Sequence, residues 1–159
     1  MGLYASLYGA KGGLMNSVLL TEAMVPQMAL VAAKAHSHPM SEATIRTCFG
    51  HLYVSFGVVE GNTLLGFAIL HQIFEDATLM DICVDPNHQG KGVGKALLIS
   101  VINAAKEKGA EVLLLEVRQS GTAARALYEA VGFATTGIRK GYYKTSIGSE
   151  DAILMQLSL

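Results

Sequence analysis

The sequence predicts an α/β (α+β) protein with a mixed β-sheet and helices on its faces. Two observations lead to this prediction. Residues 77–117 alternate strand, helix and strand, and such a crossover places two strands side by side and parallel. Residues 52–74 form two strand-like segments around Gly61-Asn62, which predicts an antiparallel hairpin. A sheet that contains both arrangements is mixed.

The composition fits one compact domain and excludes several classes of protein. The chain has 159 residues, of which 51% are hydrophobic and 16% charged, so it is too apolar to be disordered. The formal net charge is −1 and there is no basic stripe, so no direct nucleic-acid partner is expected. No apolar segment approaches the ~18 residues of a membrane span. Two cysteines, Cys48 and Cys83, are too few for a disulfide framework and favour a cytoplasmic location.

Residues 1–14 differ from the rest of the chain. They are rich in Gly, Ala and Tyr and lack the charged start and apolar core of a signal peptide. We interpret residues 1–14 as a leader or a disordered extension. Residues 15–159 are then predicted to form a single domain.

The first half of this domain is predicted to begin with a short strand at residues 17–21. A helix follows at residues 25–35, because Pro26 is tolerated in a first helical turn. Ser41 is a suitable N-cap for a second, short helix. The two strands of the hairpin come next, at residues 52–60 and 63–74.

The second half is predicted to alternate strands and helices. A strand at residues 77–84 ends before Asp85-Pro86. Residues 93–108 carry apolar side chains at helical spacing and are followed by Gly109, as expected for a helix and its C-terminal end. The remaining predicted elements are a strand at 111–117, a helix at 122–131, and closing strands at 133–138 and 152–157 around a polar loop.

A glycine-rich loop at residues 89–95 (QGKGVGK) lies between a predicted strand and a predicted helix. Glycines let backbone N–H groups approach a ligand closely, and a helix N-terminus attracts anions. The loop therefore predicts a site for a pyrophosphate. A P-loop does not fit because of Gln89 and Ala96, and a dinucleotide-binding fingerprint does not fit because of Lys95. An ordinary glycine-rich turn is the alternative.

The loop belongs to a longer pattern. Val84-Asp85-Pro86-x-x-Gln89-x-x-Gly92-x-Gly94 resembles the acetyl-coenzyme A loop of the GNAT acetyltransferases. Further segments, in order, resemble the bacterial ribosomal-protein alanine N-acetyltransferase (RimI) family. They are LEVR at 115–118, ALYE at 126–129, GF at 132–133, RKGYY at 139–143 and EDA at 150–152. The resemblance is dense over residues 77–157, thinner over 15–76, and does not cover 1–14.

The resemblance implies the GNAT fold: a mixed seven-stranded sheet with four helices, in which two parallel strands splay apart around acetyl-coenzyme A. It assigns the backbone of Ile82, Cys83 and Val84 to the acetyl and pantetheine groups. The implied contacts near the pyrophosphate are Gln89, Gly90, Lys91, Gly92, Val93, Gly94 and Lys95. No metal is implied.

The resemblance also makes Glu116 the general base and Tyr128 the general acid. An amine must be neutral to attack a thioester, and an α-amine with a pKa of ~7.7–8.0 needs only a modest base. A phenol can protonate a departing thiolate. From the residues alone, Glu116 is equally well explained as a solvent-facing strand residue, and Tyr128 is better explained as a packed helix aromatic with an exposed hydroxyl.

Other candidate residues have competing interpretations. Tyr142 and Tyr143 are predicted in the loop between the last two strands, where the family holds the substrate N-terminus, although packing explains aromatic residues equally well. His36 and His38 have no metal-ligand spacing. Cys83 is interpreted as a small core residue and not as a nucleophile.

The resemblance therefore implies an enzyme that transfers an acetyl group from acetyl-coenzyme A to the N-terminal α-amine of a protein. By resemblance, the substrate is the N-terminal alanine of ribosomal protein S-eighteen. The alternatives are acetylation of a small amine or a lysine, and a non-catalytic acetyl-coenzyme A sensor. Gly121 stands where the family commonly has Asn, which removes a side-chain contact to the coenzyme.

Overall fold

The structure, a computed structural model, describes residues 15–159, and the predicted leader at 1–14 lies outside it. The strands are β1 (Ser17–Leu19), β2 (Tyr53–Glu60), β3 (Thr63–Ile73), β4 (Asp76–Val84), β5 (Val112–Arg118), β6 (Ala134–Thr145) and β7 (Gly148–Ser158). The α-helices of this part of the chain are α1 (Val25–Ala35), α2 (Glu42–Arg46), α3 (Val93–Glu107) and α4 (Thr122–Val131). The strands form one sheet in the order β1-β2-β3-β4-β5-β7-β6.

The sheet separates two hydrophobic cores. Successive side chains of a strand point to opposite faces, and β3 shows this division clearly. Ala68 and Leu70 pack in the core that contains α3 and α4, whereas Phe67 and Ile69 pack in the core that contains α1 and α2. The predicted arrangement of helices on both faces of a mixed sheet is confirmed. Among residues 15–159, no helix combines the length and apolar character needed to cross a membrane.

Local signals in the sequence explain where several helices begin. Pro26 stands in the first turn of α1, where its missing N–H has no intrahelical partner to lose. The Ser41 hydroxyl accepts a hydrogen bond from the backbone N–H of Thr44 at 3.1 Å, so Ser41 is the N-cap of α2 as predicted. The apolar positions of α3, among them Leu97 and Val101, are fully buried against the sheet.

The parallel ladder between β4 and β5 is short. It contains only the pairs Asp76↔Val112, Ala77↔Leu113 and Thr78↔Leu114. The register of β4 against β3 then shifts around Met80, because Leu79 and Asp81 pair with consecutive residues of β3. Such a bulge bends the strand that carries it. Beyond the bulge, β4 and β5 no longer pair with each other, which confirms the predicted splayed strands.

The end of the chain differs from the prediction. Residues 139–151 do not form a polar loop, because β6 and β7 extend through most of them and leave only residues 146–147 as a turn. Tyr142 and Tyr143 therefore lie in β6 and not in a loop. Most side chains of β6 are exposed at the edge of the sheet, so the strand carries no alternating apolar pattern. Its register against β7 also shifts between Arg139 and Tyr143.

A tight glycine in β3 supplies a test of the packing beside the splayed strands. A Cβ added at Gly66 would lie 2.7 Å from the carbonyl oxygen of Cys83 and 3.0 Å from Val93 Cγ1. We expect Gly66→Ala to lower the free energy of unfolding by about 1–3 kcal/mol, because strand backbone must move. Chemical denaturation measures this change.

Gly50→Ala is the matched control. At Gly50 the new Cβ would meet only a ring carbon of Tyr53, at 3.9 Å, and the φ of −70° suits alanine. Its effect should stay within ~0.5 kcal/mol. Equal stability of the two variants would contradict this account of the packing.

Candidate active site

A cleft of about 790 Å³ lies between the diverging ends of β4 and β5. Its walls come from these two strands, the end of α1 and the residues that follow it, the loop before α3 and the first turn of α3, helix α4 with the loop before it, and one residue of β6. The bulge in β4 opens this space, and neighbouring strands hold both sides of it. β3 pairs with β4 as far as Val84, and β7 pairs with β5 as far as Arg118.

The glycine loop presents bare backbone to this cleft. Gly90 and Gly92 have φ values of 76° and 87°, and a Cβ added at either would meet no atom within 4 Å. The loop is anchored at its start, because Asp85 accepts a hydrogen bond from the backbone N–H of Asn87 at 2.9 Å. It leads into the N-terminus of α3 at Val93. Open backbone next to a helix N-terminus fits the pyrophosphate of a coenzyme.

Eight of the ten predicted coenzyme contacts line the cleft. They are Ile82, Val84, Gln89, Gly90, Gly92, Val93, Gly94 and Lys95. The Cys83 side chain is instead buried in the core with α1 and α2, which agrees with its interpretation as a core residue. Lys91 is exposed and does not line the cleft. The assignment of all ten to the coenzyme stays a prediction.

Glu116 lies on β5 and faces the cleft. Its carboxylate is not free, because Oε1 lies 3.2 Å from Nη2 of Arg139 on β6. The Glu116 side chain is 32% exposed, so it can reach both its partner and a ligand in the cleft. The ion pair orients the carboxylate. Arg139 lies in the RKGYY segment but had no predicted role, because its pairing with Glu116 depends on the register of three strands.

Tyr128 lies on α4 and lines the same cleft. It is only 5% exposed, and its ring packs against that of Phe133 with centroids 5.7 Å apart. Burial, helped by the negative charge of Asp81, raises the pKa of Tyr128 well above the ordinary value for a phenol. The hydroxyl therefore keeps its proton at neutral pH. Donation of that proton to a thiolate costs more than donation from an ordinary phenol.

Tyr143 of β6 forms part of the cleft wall, and Tyr142 lies beside it. Tyr143 lines the cleft, and the guanidinium carbon of Arg118 lies 4.3 Å from its ring centroid. Tyr142 is half exposed and meets Tyr143 edge to face, with centroids 5.1 Å apart. Tyr142 borders a neighbouring cavity of about 540 Å³, which also includes Glu116 and Tyr143. Both tyrosines thus lie near the predicted base.

A second ion pair stabilises this wall. Arg118 Nη1 lies 2.9 Å from Glu150 Oε1, and the backbone N–H of Ser120 donates to Glu150 Oε2 at 3.2 Å. The hydrogen bond from Arg118 lowers the pKa of Glu150. Arg118 and Glu150 stood in motifs of the sequence without an assigned role. The structure shows that they connect the end of β5 to β7.

A histidine and a carboxylate complete the cleft on the side of α1. His36 caps the C-terminal end of α1, and its Nε2 donates to Asp81 Oδ1 at 3.2 Å. This hydrogen bond raises the pKa of His36. Asp81 also accepts a hydrogen bond from the backbone N–H of Ile82 at 2.9 Å. No pattern in the sequence joins His36 to Asp81, because 45 residues separate them.

The class of protein is defined by three features that meet at one cleft. They are the splayed parallel strands of a mixed sheet, a glycine loop and a helix N-terminus. The family model described as "Acetyltransferase (GNAT) family" matches residues 21–133. The chain belongs to the GNAT acetyltransferases, and within them to the bacterial ribosomal-protein alanine N-acetyltransferase (RimI) family.

Three known proteins illustrate this relationship. The [ribosomal protein bS18]-alanine N-acetyltransferase of Escherichia coli K12 is 39% identical over 146 residues, which cover 91% of this chain and 99% of that protein. The crystal structure of the E. coli enzyme matches with a TM-score of 0.86 and 38% identity, covering 91% and 94% of the two chains. A putative streptothricin acetyltransferase from Bacillus anthracis, solved with acetyl coenzyme A, has a TM-score of 0.63 and 28% identity, covering 69% and 64%.

Two glycines at opposite ends of α3 test the role of the loop. Gly92 and Gly109 both have positive φ, of 87° and 83°, and both leave open space for a Cβ. Alanine at either position should cost similar backbone strain, about 1–2 kcal/mol. Only Gly92 borders the cleft, so Gly92→Ala should also weaken acetyl-coenzyme A binding by roughly tenfold or more. Calorimetric titration of both variants measures this difference, and equal affinities would rule out the loop as the coenzyme site.

Proposed function

We propose that this protein transfers the acetyl group of acetyl-coenzyme A to the α-amine of the N-terminal alanine of ribosomal protein bS18 (S-eighteen). The observation that carries the proposal is that Glu116 and Tyr128 face one cleft, which also contains the glycine loop. The 39% identity to the E. coli enzyme along 91% of the chain supports the same substrate. The two free cysteines fit a cytoplasmic enzyme.

Acetyl-coenzyme A supplies the acetyl group as a thioester. The open backbone around Gly90 and Gly92 is suited to its pyrophosphate. Beyond the three ladder pairs, the side of β4 that faces β5 has backbone groups without a partner on β5, and these can bind the pantetheine arm. The complex of the B. anthracis relative with acetyl coenzyme A supports this assignment.

Glu116 is the proposed proton acceptor. An α-amine with an ordinary pKa of ~7.7–8.0 is partly neutral near pH 7, so a carboxylate or a water bound to it suffices as the base. The Arg139 contact at 3.2 Å orients the Glu116 carboxylate, which lines the cleft. Arg139 is therefore a proposed positioning residue and not a proton acceptor.

Tyr128 is the proposed proton donor to the coenzyme sulfur. Its buried ring is fixed by α4 and Phe133, so the hydroxyl is held at the cleft with little freedom. Its raised pKa guarantees that the proton is present, at the cost of a weaker driving force for transfer. A backbone N–H near Val84 is the proposed donor to the carbonyl oxygen, where negative charge develops.

A panel of peptides tests the proposed reaction. An Ala-initiated peptide with an internal lysine should gain one acetyl group on its N-terminus, as read by mass spectrometry. The same peptide with a blocked N-terminus should stay unmodified. Glu116→Gln should slow the reaction by ~10²–10⁴ while coenzyme binding is retained, because it removes a proton acceptor without changing volume. Acetylation of the blocked peptide would indicate a lysine acetyltransferase, and coenzyme binding without any turnover would indicate a sensor.

Tyr128→Phe tests the proton donor separately. The substitution removes one hydroxyl and keeps the ring packed against Phe133, so thermal stability and coenzyme affinity should be unchanged. We expect turnover to fall by about 10–100-fold, because a thiolate is a fair leaving group even without an acid. The loss should be constant from about pH 7 to about pH 9, since the raised pKa keeps Tyr128 protonated throughout. Unchanged turnover would remove Tyr128 from the mechanism.

A further inference from the structure

Three side chains that can bind a metal meet beside the cleft on the side of α1. His36, Asp81 and Cys83 each offer one ligand atom, and these atoms all lie within 4.8 Å of one another. Asp81 and Cys83 are two positions apart on β4, so both point to the face of the sheet that α1 covers. His36 at the end of α1 completes the group. No spacing in the sequence indicates this cluster, and no metal was expected.

Two distances within the cluster are close to those between neighbouring ligands of a tetrahedral metal site. Nε2 of His36 lies 3.2 Å from Asp81 Oδ1, and Sγ of Cys83 lies 3.4 Å from Asp81 Oδ2. Bonds from zinc of about 2.0–2.1 Å to nitrogen or oxygen and about 2.3 Å to sulfur set neighbouring ligands about 3.3–3.6 Å apart. Both contacts are hydrogen bonds to Asp81 in the metal-free protein. A bound ion would replace the two donated protons, and because these reach different oxygens of Asp81, the carboxylate would bind through both oxygens or rotate.

The types of ligand and their surroundings favour zinc over other common ions. A thiolate and an imidazole are ligands for zinc, whereas magnesium and calcium prefer oxygen alone. The Asp81 side chain is 15% exposed and that of His36 is 40% exposed, and both line the cleft. The cleft therefore gives an ion access and leaves room for a fourth ligand. The nearby Arg118 is paired with Glu150, which reduces its repulsion of a cation.

We propose that His36, Asp81 and Cys83 bind one Zn²⁺ ion, and that the bound ion inhibits acetyl transfer. Binding forms zinc bonds to the His36 nitrogen, an Asp81 oxygen and the Cys83 sulfur, and the thiol proton leaves to solvent. The ion would border the cleft that Glu116 and Tyr128 face, and by neutralising the Asp81 carboxylate it would remove a negative charge that attracts the protonated amine of the substrate. The inhibition rests on the proposed function, whereas the metal binding does not.

Cobalt(II) provides a spectroscopic test that needs no enzyme activity. The full chain titrated with Co²⁺ should bind one equivalent and develop a near-ultraviolet band from the cysteine sulfur, together with the intense visible bands of tetrahedral cobalt. Zn²⁺ should displace it. Asp81→Asn and Cys83→Ala should lose these signals. Cys48→Ala, which removes the other buried thiol, and His38→Gln, which alters another histidine of the cleft, should retain them.

The outcomes separate the site from its effect. A sulfur band that persists in Cys83→Ala, or the absence of any band in the wild type, would overturn the metal site. Asp81→Asn keeps the test valid if Cys83→Ala does not fold. In the peptide assay, Zn²⁺ should inhibit the wild type and Cys48→Ala. Half-inhibition of Asp81→Asn should need a Zn²⁺ concentration at least roughly tenfold higher. Equal inhibition of all three would overturn the inhibitory role. Inactivity of the metal-free wild type would count against the proposed function alone.

Discussion

The separation of β4 from β5 is the constraint on which the rest of the structure depends. After three ladder pairs the bulge at Met80 turns β4 away. The two strands stay extended because each has another partner: β5 forms seven pairs with β7, and β4 remains paired with β3. The sheet can therefore open in its middle without unfolding at its edges. The glycine loop, the start of α4 and the end of α1 all border this opening, so the cleft results from one local irregularity.

The parts of the fold that were predictable from the sequence depend on local patterns. Helix α3 was evident from apolar residues at helical spacing, such as Leu97 and Val101, and from Gly109 after its end. The hairpin of β2 and β3 was evident from the turn at Gly61-Asn62. Glu116 and Tyr128 are different, because no periodicity places them in one cleft. The resemblance to a family pointed to them, and the structure shows that both line the cleft.

The features that escaped sequence analysis depend on contacts between distant segments. Arg139 reaches Glu116 only because β7 pairs with both β5 and β6, and that register cannot be read from composition. His36 meets Asp81 because α1 packs over β4. The length of β6 was missed for another reason. An edge strand needs backbone hydrogen bonds on one side only and buries few side chains, so its residues resemble those of a polar loop.

The exposed position of β6 has a consequence for the behaviour of the protein in concentrated solution. A free edge of twelve residues is long enough to accept a strand from another molecule, and this is a common route to aggregation. Three features of β6 oppose such pairing. The shift in register between Arg139 and Tyr143 interrupts the flat edge, and Lys140 and Lys144 bring positive charges that repel a second copy of the same strand. The polar composition that concealed β6 in the sequence thus also protects the protein from self-association.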